Sequence, residues 1–95
     1  MYVIRETFSA KPGMASKLAR LMKDVSRSAG NGHVRVLTDA VGRFNTVVME
    51  TEVDDLAEFE KRMSEYMQDS RMRDQMKGYT DMYQSGKRQI FKVVD

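Results

Sequence analysis

Apolar positions along the chain switch between a period of two and a period near 3.6, and the switches mark the elements. Tyr2 to Ser9 reads YVIRETFS, with Ile4 and Phe8 in phase and Arg5 and Thr7 on the opposite side, which predicts a strand. Lys11-Pro12-Gly13 interrupts it. From Met14 the apolar residues fall at Met14, Leu18, Leu21, Met22, Val25 and Ala29, a single helical stripe that Gly30-Asn31-Gly32 stops. His33 to Asp39 and Phe44 to Val53 read as two strands of an antiparallel hairpin, joined by Ala40 to Arg43. Asp54 or Asp55 caps a second helix with Leu56, Phe59, Met63, Tyr66 and Met67 facing inward and Glu58 in its first turn. Gln68-Asp69-Ser70 predicts a break. A further helical segment, Arg71 to Tyr83, carries Met72, Met76, Tyr79 and Tyr83 on one side; Gly86 ends it, and Lys87 to Val94 forms the last strand. No internal repeat, linker or low-complexity stretch interrupts this order, so residues 1–95 read as a single domain.

The order βαββαβ predicts an α+β, ferredoxin-like fold, because right-handed crossovers place both helices on one face of a four-stranded antiparallel sheet. The other face is then bare. Strand phasing assigns Val34, Val36, Val47, Met49 and Val53 to the core and leaves Arg35, Leu37, Phe44, Thr46, Val48 and Glu50 on the bare face. Leu37, Phe44 and Val48 form an apolar patch that is costly to hydrate, at about 25 cal/mol for each Å². A second copy of the chain is the simplest cover. The expected interface is therefore Arg5, Arg35, Leu37, Phe44, Val48 and Glu50, with Arg88 or Lys92 candidates to join it. Buried charges there must pair across the interface or hold an anionic ligand.

Composition narrows the chemistry. Sixteen Lys and Arg against 14 Asp and Glu give a net charge of +2, too small and too dispersed for a nucleic-acid footprint. With no Cys there is no disulfide framework, thiolate metal site or cysteine nucleophile. The start of the chain has no signal-peptide pattern, and no apolar run reaches the roughly 18 residues of a membrane span. The expectation is a cytoplasmic protein with no membrane partner.

Three stretches carry a family resemblance: YVIRETFSAKPG, the hairpin LTDAVGRFNTVVMETEV with DDLAEFE after it, and GKRQIFKV. The chain resembles the dimeric α+β barrel superfamily, near the small bacterial NIPSNAP and antibiotic-biosynthesis-monooxygenase groups. That resemblance implies a homodimer with its sheets packed face to face and its helices outside. It also implies a ligand cavity between each sheet and its own helices. Haem-degrading members of the superfamily use an Asn on the first strand, a Trp and a His on the second helix. Here Thr7 or Glu6 stands in place of the Asn, Trp is absent, and the single His, His33, opens the second strand, so neither haem nor another cofactor is expected. Cofactor-free quinone-forming oxygenases, which mainly bind and desolvate their substrate, match in part.

Among candidate sites, His33 is the natural place to seek a general base, but nothing in sequence partners it, and a solvated strand end explains it better. Met63, Met67, Met72, Met76 and Met82 recur at helical spacing, which reads first as core and second as an adaptable pocket. Tyr66, Tyr79 and Tyr83 would add hydroxyls to such a pocket. Met49, Phe59, Met63, Tyr79 and Tyr83 are the expected ligand-binding set, between the sheet and the second helix, for a small apolar or aromatic molecule. An RNA-recognition module shares the element order, but the third strand RFNTVVME offers one aromatic, Phe44, and the acidic Glu50, so nucleic acid is not an expected partner. The sequence thus reads as a small-molecule-binding dimer. The alternatives are a cofactor-independent monooxygenase-like enzyme acting on a small aromatic or polyketide-like substrate, and a structural dimer whose cavity is filled by Met and Phe.

Overall fold

A computed structural model describes residues 1–28 and 33–95. Four antiparallel strands, β1 (Tyr2–Ala10), β2 (Val34–Thr38), β3 (Thr46–Val53) and β4 (Tyr83–Lys92), form one sheet in the order β2-β3-β1-β4. Helix α1 (Ala15–Ser28) connects β1 to β2, and α2 (Leu56–Gln68), α3 (Ser70–Gln75) and a 3-10 turn at Tyr79–Asp81 connect β3 to β4. The expected α+β, ferredoxin-like arrangement is present. Ala29 and the Gly30-Asn31-Gly32 stop expected after α1 lie outside the described residues.

Register fixes which side chains share a face. Pairing of Ile4 with Thr51 and Ile90, and of Phe8 with Val47 and Gly86, puts these residues on the helix side. Arg5 opposite Glu50, Thr7 opposite Val48, and Glu50 opposite Arg35 lie on the other side, as strand phasing predicts. The core is one-sided. Ile4, Phe8, Ala10 and Val47 from the sheet are buried with Leu18, Met22 and Val25 of α1, which packs over β2 and β3.

The second half of the helical layer is looser. Asp55 caps α2, its carboxylate accepting from the Ala57 N–H at 2.9 Å, yet no residue of α2 is buried. Asp69 both closes α2, donating its N–H to the Tyr66 carbonyl, and caps α3, its carboxylate accepting from the Arg71 N–H at 2.9 Å. The expected break at Asp69 is therefore real. Met72 is the one buried residue of α3.

Four expectations are corrected. The helical segment ends at Gln75 rather than Tyr83, because Gly78 takes a left-handed φ of 86° and turns the chain out of the helix. β4 consequently begins at Tyr83, and Gly86 lies within it rather than ending a helix. Phe44 does not belong to the sheet face: Asn45, at φ 63°, breaks the alternation before β3 starts at Thr46, and Phe44 is 82% exposed in the hairpin loop. Arg88 and Lys92 pair with Glu6 and Tyr2, so they face the helices and do not join Arg5, Arg35 and Glu50.

Candidate functional site

Because α2 stands away from the sheet, a cleft of about 930 Å³ opens between the helix face of β1, β3 and β4 and the segment from α2 to the 3-10 turn. Met49 of β3, Phe59 and Met63 of α2, Tyr79 of the 3-10 turn and Tyr83 of β4 all line it. The residues expected to meet there do so, although Tyr79 and Tyr83 arrive from a turn and a strand and not from a helix. Met72 and Met76 extend the flexible thioether surface.

Aromatic rings are stacked along one wall. Phe8 lies 5.0 Å from Tyr83, which lies 5.7 Å from Tyr79, both tilted. Gly86 gives the Phe8 ring its space, since a Cβ at that position would stand 3.0 Å from Phe8 Cδ1.

Polar and charged groups share the lining with the apolar ones. The Tyr66 hydroxyl is buried and, among the described residues, has no hydrogen-bond partner. Burial raises its pKa above the ordinary tyrosine value, reinforced by the Asp69 carboxylate and by Tyr79. Tyr79 is raised too, first by burial, then by Tyr83 and by the Glu6 carboxylate. Both phenols thus remain protonated near neutral pH; Tyr79 is engaged with Tyr83, and the Tyr66 hydroxyl can donate. Across the cleft, Arg88 Nη2 reaches Glu6 Oε1 at 3.4 Å, and its guanidinium sits 5.9 Å from the centre of the Phe59 ring. Sequence reasoning did not place Glu6 or Arg88 in this cleft. Glu6 is in phase with Ile4 and Phe8, and that period-two signal puts it on the helix face.

A second, shallower recess of about 380 Å³ lies on the bare sheet face, lined in part by Arg5, His33, Arg35, Glu50 and Phe91. Glu50 is 5% exposed because two arginines lie across it. Arg35 donates to Oε1 from Nε and Nη2 at 2.8 and 2.6 Å, and Arg5 donates from Nε to Oε2 at 2.7 Å. The hydrogen bonds from Arg35 and then Arg5 hold the Glu50 pKa below the ordinary carboxylate value, and desolvation only partly opposes them. These three charges therefore pair with one another within the chain. The Arg5 guanidinium also lies 5.0 Å over the Phe91 ring. Leu37 is 41% exposed on this face, and Val48 is half-buried. His33 lines this recess, with the sheet between it and the tyrosines.

Among the described residues, no group of three or more His, Asp or Glu is placed to hold a metal ion, and no helix is long and apolar enough to cross a membrane.

No protein-family model matches the sequence, and no curated protein matches it. Solved structures do. A NIPSNAP family protein from Agrobacterium tumefaciens superposes with a TM-score of 0.86 at 13% identity, covering 99% of this chain and 93% of that one. A second protein from that organism, described as NIPSNAP family with unknown function, gives 0.85 at 17% identity over 98% of this chain and 87% of its own. A candidate antibiotic biosynthesis monooxygenase from Deinococcus radiodurans gives 0.71 at 14% identity, over 100% and 94%. At these identities the likeness is one of fold.

Proposed function

We propose that the protein binds a small, flat, largely apolar molecule in the cleft between its sheet and α2, and that tyrosine hydroxyls orient it. The observation that carries this reading is the unpartnered hydroxyl of Tyr66 at the cleft wall. A buried hydroxyl without a partner costs about 1–3 kcal/mol, and a ligand acceptor would remove that penalty. The volume is at the upper end of the usual range for small-molecule sites, and methionine and phenylalanine surfaces with a few convergent donors are the usual lining. Binding rather than proton abstraction is favoured, because the phenols are held protonated and His33 lies across the sheet.

Thermal-shift screening of flat aromatic compounds, comparing the parent protein with Tyr66→Phe, tests the reading. Without ligand the substitution should leave stability unchanged or raise it by up to about 1 kcal/mol, since it deletes an unsatisfied group. With a carbonyl-bearing binder it should weaken affinity severalfold. A Tyr66→Phe protein that is clearly destabilised when empty, or that binds every hit as well as the parent, would overturn it.

We further propose that a second copy covers the bare sheet face. The support is an uncovered surface holding Leu37, Val48 and Phe91 beside a Glu50 carboxylate that Arg5 and Arg35 already engage within the chain. Light scattering at micromolar concentration should give twice the chain mass. A folded monomer would refute this.

A further inference from the structure

Cations stand where the cleft meets solvent. Arg73 and Arg88 line it and are exposed, and among the described residues Arg73 has no carboxylate within salt-bridge distance. Arg88 has one partner, Glu6, and holds it through a single long contact of 3.4 Å with its own side chain 48% exposed. A guanidinium carries five donors, so most of those of Arg88 remain available. Its position over Phe59 keeps the charge beside the apolar surface. Resting on the reading that the cleft holds a flat apolar ligand, we infer that this ligand is an amphipathic anion. Its apolar body lies against Met49, Phe59 and Met63, and a carboxylate- or sulfonate-like head meets Arg88 at the open end.

This division of the cleft follows from solvation. An anion taken to the Met-lined interior would lose its hydration without a cation there to replace it. At the exposed end the head keeps part of its water while gaining a charge-assisted bidentate contact. Four arginines, Arg62, Arg71, Arg73 and Arg88, line the cleft against three carboxylates, Glu6, Glu65 and Asp69, of which Glu6 and Asp69 already pair with Arg88 and Arg71, so a cationic ligand would gain less there than an anion. A neutral ligand would leave Arg88 no role beyond its loose hold on Glu6.

Two fluorescent probes with nearly the same aromatic body separate these cases: 1-anilinonaphthalene-8-sulfonate, an anion, and N-phenyl-1-naphthylamine, its neutral counterpart. Both should bind, and Phe59→Ala should weaken both. Arg88→Gln should weaken the sulfonate roughly tenfold and leave the neutral probe within about twofold, because only the sulfonate forms the charged contact. Glu6→Gln, which releases Arg88, should tighten the sulfonate severalfold. Arg20→Gln, an exposed cation on α1, should change neither. On the unaltered protein, added salt should weaken the sulfonate more than the neutral probe, a comparison independent of whether any variant folds. If both probes bind, respond to Phe59→Ala and lose affinity equally or not at all in Arg88→Gln, the anionic head is wrong and the apolar cleft stands. If neither responds to Phe59→Ala, the cleft reading itself fails.

Discussion

Glu50 is a carboxylate held by two arginines on a sheet face that no helix covers, and the arrangement sets the sign of its pH dependence. Its pKa is lower folded than unfolded, so the stabilisation is present above the ordinary glutamate value of 4.5 and is lost as pH falls through the lowered folded value. Glu50→Gln should therefore cost about 1–2 kcal/mol near neutrality, the lower part of the range for charged hydrogen bonds because Arg5 and Arg35 are partly exposed. Denaturant titrations across pH should show the parent and variant curves converging in acid. A deficit that stays constant down to about pH 3 would contradict the assignment. Strand phasing places Arg5, Arg35 and Glu50 on one face, and that much is legible in the sequence. That one carboxylate serves both arginines is a matter of register, with Glu50 opposite Arg5 on one side and Arg35 on the other, and register emerges only when β1, β2 and β3 are aligned.

At the scale of elements, Asp69 ends one helix and begins the next. Removing its carboxylate leaves the Arg71 N–H without its cap, so Asp69→Ala should cost about 1 kcal/mol, and Asp69→Asn, which can still accept, much less. Thermal melts of the two variants separate a capping role from a purely electrostatic one: equal losses would point to charge. The break itself is legible from Gln68-Asp69-Ser70, polar residues that compete for backbone hydrogen bonds. The path of the chain beyond the break is not. Met72, Met76, Tyr79 and Tyr83 keep helical spacing while the backbone passes through α3, a left-handed glycine, a 3-10 turn and the first residue of β4. Periodicity reports which residues reach the core and is silent on the backbone that delivers them. Phe44 fails for a related reason, since one left-handed asparagine breaks the strand alternation.

The whole molecule measures 36 × 35 × 20 Å, and its short dimension is that of one sheet and one layer of helices. A two-layer slab has one unprotected face, which is why the proposed second copy belongs there. Leu37→Asp should split the dimer by placing an unpaired charge in the interface while leaving the folded subunit's circular dichroism unchanged. A variant that still sediments as a dimer would move the interface elsewhere. The sheet order has another consequence. β1 lies between β3 and β4, and its contact from Glu6 to Arg88 spans 82 residues. During synthesis on the ribosome the β2-β3 hairpin and α1 can meet β1 early, but β1 keeps an open edge until β4 has emerged. The wall of the cleft that holds Tyr83, Gly86 and Arg88 is thus the last part of it to be made, and a nascent chain has no enclosed cleft until the sheet closes.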